Sequence, residues 1–308
     1  TNNFITFYLL ERNMEPTTRL IDRMLSFALL DPRIEAVVLT GSLGRNRKID
    51  SYSDIDIELI GYGATELAKN QHWLSQFGDA LVSLQLECED PKSKFWPIYL
   101  HVLAQGRKID IMMAEPERIF NMKTEGLSPV YQRGYQILLD KTSLCDGLPE
   151  IGTITPPTLS KEQACNNAQE FWFEATQVAI AILRHEFWSA NYRIHDMREW
   201  LMELLEQVAL HNAPTQDVWY QGKNLKEWLP KFYSLRSLES TLAMSTPYES
   251  AATLSIMMAF FLDASKRLNH PIDTAIKTQE LVSDWLIDNE FLTENEYTQI
   301  TSSIICHY

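Results

Sequence analysis

The chain has 308 residues, 45% hydrophobic and 22% charged, which excludes a disordered or collagen-like polymer and suffices for two cored domains. Lys and Arg number 27 against 41 Asp and Glu; the net charge of −14 argues against a nucleic-acid binder and suits a cationic partner. The four cysteines (Cys88, Cys145, Cys165, Cys306) form no CxxC pair, so neither a disulfide framework nor a zinc site is expected, and a reducing cytoplasm is.

Phe4–Leu10 is a short apolar run with no basic flank before it, read as the start of an amphipathic helix and not a signal peptide. No uninterrupted apolar stretch is long enough to span a bilayer, so no membrane association is expected. Pro16–Leu30 places Leu20, Met24, Phe27 and Ala28 at helical spacing. Ile34–Thr40 is β-rich and ends in Gly41-Ser42; a polar stretch with Arg45, Arg47 and Lys48 follows. Asp54–Ile60 alternates strictly, with Asp54, Asp56 and Glu58 on one face and Ile55, Ile57 and Leu59 on the other, which predicts a strand with a carboxylate face. Ala64–Phe77 reads as a helix. Ala80–Glu89, Ile98–Gln105 and Lys108–Met113 read as strands, the last two joined at Gly106-Arg107. Pro116–Lys123 reads as a helix and Tyr135–Asp140 as a last strand.

Cys145–Pro157, with Gly147, Pro149, Gly152, Pro156 and Pro157, is the expected linker. Beyond it the pattern turns to long helices. Ser160 and Gln163 form a capping box opening a helix to about His185, and a second helix covers roughly Asn191–His211. One short helix is expected in the loop region around Pro214, Gly222 and Pro230, and two or three more after Ser234. The expected fold class is α+β: a mixed β-sheet domain with flanking helices over residues 1–148, then an all-helical bundle over 149–308.

The chemistry sits in the first half. A strand delivers Gly41-Ser42 into a turn where glycine lets backbone approach a phosphate and the Ser42 hydroxyl can bond its oxygens, more so if a helix starts there. Asp54 and Asp56 point the same way from one strand, and such a pair repels itself unless a cation sits between. Asp110 lies on another alternating strand. Three carboxylates from neighbouring strands suit two Mg²⁺ ions and in-line phosphoryl or nucleotidyl transfer. Rival patterns fail: His185-Glu186 lacks a second histidine three residues on, and no GxGxxG, P-loop or Gly-x-Ser-x-Gly string occurs.

The string LTGSLGRNRKIDSYSDIDIELI (Leu39–Ile60), with a third Asp on a later strand, resembles the signature of the nucleotidyltransferase (polymerase β-like) superfamily. FWFEATQVAIAILRHEF (Phe171–Phe187), QGKNLKEWLP (Gln221–Pro230) and RKIDIMMAEPERI (Arg107–Ile119) resemble segments of the aminoglycoside 6-adenylyltransferase (streptomycin adenylyltransferase) family, over about Met24 to Phe261. Two departures stand out: Glu58 replaces an apolar residue after the Asp-x-Asp, and Gln85–Tyr99 aligns poorly.

The resemblance implies a nucleotidyltransferase domain followed by a helical substrate- and nucleotide-binding domain. It implies transfer of AMP from ATP to a hydroxyl of a cationic aminoglycoside, streptomycin first, with release of pyrophosphate. Asp54, Asp56 and Asp110 would hold two Mg²⁺ ions; Gly41, Ser42, Arg45 and Lys223 would contact the nucleotide. Asp110 is the first candidate for general base, ahead of Glu87 and Glu89 on the preceding strand. Glu174 and Glu186, twelve residues apart on one helix, are candidate acceptor contacts with Glu89, and Trp172 and Trp188 flank the same helix. A monomer is expected. The alternatives are the same chemistry on a lincosamide or other small molecule, a protein or an RNA, and a non-catalytic nucleotide-binding protein.

Overall fold

The computed structural model describes residues 15–89, 94–152, 154, 156, 158–218 and 221–306. The predicted helix start at Phe4–Leu10 lies outside them. The chain divides into two compact units, Thr1–Thr155 and Pro156–Tyr308. The first carries a six-stranded mixed sheet and the second is helical, an α+β architecture. Among the described residues, no helix is long and apolar enough to cross a membrane.

In the first unit, α1 (Thr17–Leu30) buries Leu20, Met24 and Ala28, the stripe its spacing predicts. The strands are β1 (Ala36–Leu39), β2 (Ile55–Ile60), β3 (Ala80–Glu89), β4 (Phe95–Leu103), β5 (Lys108–Ala114) and β6 (Gln136–Asp140). Their order in the sheet is β3-β4-β5-β2-β1-β6. The β2–β5 pair is parallel and every other pair antiparallel. Alternation sorts the side chains into two cores. Ile55, Ile57, Tyr99, Ile109 and Ile111 pack with α1 on one face. Ile60, Trp96, Met112 and Ala114 pack on the other with Ile119, Met122 and Tyr131. These last three come from α3 (Glu117–Glu125) and α4 (Pro129–Gln132); α2 is the single turn Gly41–Gly44.

Ala64–Phe77 forms two 3-10 helices, Ala64–Lys69 and Gln71–Phe77, and not one α-helix. Asn70 between them is extended (φ −144°, ψ 117°), and its side chain accepts from the His72 N–H. A short polar side chain that bonds nearby backbone competes with helix continuation.

In the second unit, α5 (Lys161–Leu183) opens with the Ser160–Gln163 capping box, both of its bonds formed. It stops at Leu183, short of the expected His185. His185 takes φ +59°, while its N–H donates to the Ile182 carbonyl and that of Glu186 to Ala181. This is a Schellman ending with histidine where glycine is usual. A second helix, α6 (Phe187–Asn212), follows at once. The short α7 (Leu225–Trp228) precedes, among the described residues, four further helices where two or three were expected: α8 (Leu235–Ser240), α9 (Pro247–Arg267), α10 (Asp273–Asp288) and α11 (Glu294–Ser302). The apolar helix α9 is the centre of the bundle, its Phe261 ring stacked 3.8 Å from that of Phe171 on α5.

Candidate active site

The site is assembled where β1 hands the chain to the Gly41 turn beside β2. The Thr40 N–H donates to the Asp56 carbonyl at 2.9 Å, tying the turn to that strand. Gly41 adopts φ +62°, and a Cβ built there would lie 1.9 Å from the Asp56 carboxylate oxygen Oδ2. Only glycine satisfies both the left-handed backbone and this approach. Gly41→Ala should therefore destabilise the protein by about 1–3 kcal/mol and displace Asp56. Thermal denaturation with a turnover assay checks this; unchanged values for both would show that the turn yields without moving Asp56. The helix opening at Gly41 spans only Gly41–Gly44, too short to supply the dipole that a longer helix would add at Ser42.

The parallel register sets Asp56 of β2 directly beside Asp110 of β5, so two carboxylates share one face on adjacent strands. Neighbouring strands lie roughly 4.8 Å apart. Asp54, just before β2, has the same parity. The Lys108 ammonium lies 2.7 Å from Asp54 Oδ2 and 2.7 Å from Asp110 Oδ2. Lys108 was not among the predicted site residues, although its parity with Asp110 on β5 was a legible signal. Burial raises the Asp110 pKa, and Asp54 adds to the rise while the Lys108 ammonium opposes it. Burial pulls the Lys108 pKa down, but its hydrogen bonds to Asp110 and Asp54 outweigh this and the net shift is upward.

Among the described residues, no group of three or more His, Cys, Asp or Glu side chains stands arranged to hold a metal ion. The donor set nonetheless fits a hard divalent cation. Its donors are all carboxylate oxygens, two of them already converge on one cationic centre, and Asp110 Oδ1 is buried without a hydrogen-bond partner.

Glu58 continues the carboxylate parity into the protein, where it is 3% exposed. Arg118 of α3 meets it through two bonds, Nε to Oε2 at 2.7 Å and Nη2 to Oε1 at 2.8 Å, and the Tyr131 hydroxyl donates to Oε2 at 2.9 Å. The departure from an apolar residue is thus balanced by two residues distant in sequence.

The register corrects the expectation for Glu87 and Glu89. Leu84 pairs with Leu100, which pairs with Asp110, so the even residues of β3 share the face of Asp110. Glu87 and Glu89 have the parity of Gln85, whose side chain bonds Tyr99 on the opposite face. On that opposite face a cavity of about 180 Å³ is lined by Ser83, His101, Ile109 and Ile111 among others, with the sheet between it and the carboxylates.

Ser42 and Arg45 are half-buried in and after the turn, whereas Arg47 and Lys48 are exposed. Within the second unit, Lys223 is exposed and its carbonyl accepts from the Trp228 indole N–H. Glu174 is held by Arg193 of α6 at 2.7 Å. Glu186 is exposed but sits in the tight connection after α5, so the two glutamates do not lie along one helix face as expected. Trp172 belongs to the core and Trp188 is 93% exposed.

The family model described as streptomycin adenylyltransferase matches residues 14–287. An aminoglycoside 6-adenylyltransferase of Bacillus subtilis (strain 168) is 27% identical over 276 residues, covering 83% of this chain and 91% of that protein. A crystal structure of an aminoglycoside 6-adenyltransferase from Bacillus subtilis aligns over 88% of this chain and 99% of that one, with 19% identity and a TM-score of 0.39.

Proposed function

The chain belongs to the streptomycin adenylyltransferase family and is an adenylyltransferase, and from that premise we propose that it transfers AMP from ATP to a hydroxyl of an aminoglycoside, streptomycin in the first instance, releasing pyrophosphate. The observation that carries this reading is the pairing of Asp56 with Asp110 on parallel strands behind a glycine turn that packs on Asp56.

Magnesium held by Asp54, Asp56 and Asp110 would offset triphosphate charge and make the acceptor hydroxyl more acidic. The chain's own residues do the rest. Gly41 and Ser42 let the backbone approach the nucleotide, and Arg45 adds positive charge at the end of that turn. Asp110, on the carboxylate face beside Asp56, takes the acceptor proton as general base. The acceptor oxygen then forms its bond to the α-phosphorus as the bond to the bridging oxygen breaks, and the electron pair leaves on pyrophosphate. The net charge of −14 favours a cationic acceptor over RNA. Of the two candidate glutamates in the helical unit, Glu186 is the proposed ammonium contact, because Glu174 is already held by Arg193.

The test is pyrophosphate release with ATP and Mg²⁺ across aminoglycosides and lincosamides, with product masses recorded. Streptomycin-dependent release and a product heavier by one AMP supports the proposal. Lincosamide-dependent release would replace the acceptor and keep the chemistry. ATP binding without release across the panel would overturn it.

A further inference from the structure

We propose that Lys108 is a tethered counter-ion of the carboxylate site, which makes divalent-metal binding depend on nucleotide. The proposal rests on the reading of Asp54, Asp56 and Asp110 as metal ligands. The ammonium bonds carboxylates from two separate segments, Asp54 before β2 and Asp110 on β5, each at 2.7 Å. Asp56 adjoins Asp110 in the register, so a third acidic residue stands on the same face beside the pair that the ammonium holds. Arg107, next in sequence, does not share the task. Its guanidinium donates to the backbone carbonyls of Ser51, Ser53 and Glu15 at 3.4 Å.

The Lys108 side chain is 36% exposed, on a flexible four-carbon stem, so it has room to leave. While it stays, it occupies one oxygen each of Asp54 and Asp110. A divalent cation arriving alone competes with a charge that cannot diffuse away and repels it once displaced. A triphosphate removes that conflict by offering the ammonium a new anionic partner. Lys108 thus couples the two ligands: nucleotide tightens metal binding and, by linkage, metal tightens nucleotide binding to the same degree. A purely structural role, clamping Asp54 to β5, predicts lost stability on substitution but no gain in metal affinity.

The experiment measures Mn²⁺ binding to the full chain by electron paramagnetic resonance, with and without a non-hydrolysable ATP analogue. It compares wild type, Lys108→Met, Lys108→Arg and Asp110→Asn. Lys108→Met should bind Mn²⁺ alone about tenfold more tightly than wild type, and the added benefit of the analogue should shrink by a similar factor. Lys108→Arg, which keeps the charge, should bind Mn²⁺ alone as weakly as wild type. In EDTA, Lys108→Met should melt below wild type, and Mn²⁺ should raise its melting temperature more. If Lys108→Met does not fold, Lys108→Gln takes its place as the neutral variant under the same comparison. Unchanged or weaker Mn²⁺ binding by the folded neutral variant overturns the proposal. If Asp110→Asn still abolishes binding in that case, the metal-ligand reading stands without it. No Mn²⁺ binding by wild type even with the analogue overturns both.

Discussion

Asp56→Asn is expected to lower kcat for AMP transfer by about a thousandfold, equivalent to roughly 4 kcal/mol of transition-state stabilisation, while the protein stays folded. Asparagine keeps the volume that fits against Gly41, where an added Cβ would lie 1.9 Å from Asp56 Oδ2. What it removes is one negative charge beside Asp110, the register partner on β5. That charge is the part an amide oxygen cannot replace as a ligand for a hard divalent cation. Asp110→Asn and Asp54→Ala should lose activity similarly, because each takes away a carboxylate of the same group. Steady-state pyrophosphate release paired with thermal denaturation checks this. Activity within tenfold of wild type for folded Asp56→Asn would remove the carboxylate group from the mechanism.

Arg118→Met should be the most damaging substitution for stability away from the carboxylates that face solvent. It leaves the Glu58 carboxylate, 3% exposed, without its counter-charge and without two of its three hydrogen bonds. Removing one partner of a buried pair costs about 3–5 kcal/mol. For a unit of this size, that lowers the melting temperature by on the order of 10 °C. The Arg118 pKa supports the ranking: burial acts against its charged form, yet Glu58 outweighs this and the net shift is upward. The companion is Glu58→Leu with Arg118→Met and Tyr131→Phe, which replaces the whole network by apolar groups and should recover most of the loss. Calorimetry on both variants decides the cause. A triple variant no more stable than Arg118→Met would mean that shape, not uncompensated charge, sets the cost.

The network also explains how β2 carries a third acidic residue inward. Asp54 and Asp56 remain partly exposed, while Glu58 lies under α3 and α4. Arg118 anchors α3 to the strand that presents Asp56, and its guanidinium stands 5.6 Å from the Tyr131 ring. A fault in this contact should therefore reach the carboxylates through β2 itself.

Much of this protein is legible in its local sequence. The alternation of Asp54, Asp56 and Glu58 with Ile55, Ile57 and Leu59 is a backbone property of one strand, and the structure keeps it. The stripe of α1 and the Ser160–Gln163 cap are likewise local, each set by residues within a few turns of one another. Local pattern misled where a competing local bond or a backbone break intervened. Asn70 splits one expected helix by accepting from the His72 N–H, and His185 ends α5 in a left-handed residue before Glu186.

Long-range pairing was decided only in three dimensions. Parity shows that Glu87 and Glu89 share a face, but only the β3–β4–β5 register tells that it is the one opposite Asp110. Nothing near Glu174 in sequence reveals Arg193, and nothing near Glu58 reveals Arg118 and Tyr131. The sequence by itself determined which residues carry charge and which of them share a face within one strand or helix, because helix and strand periodicity follow from backbone geometry. The tertiary structure alone decided which charges meet, Lys108 with Asp54 and Asp110 among them, because a hydrogen bond or ion pair depends on ångström-scale distances between segments that the chain brings together only by folding.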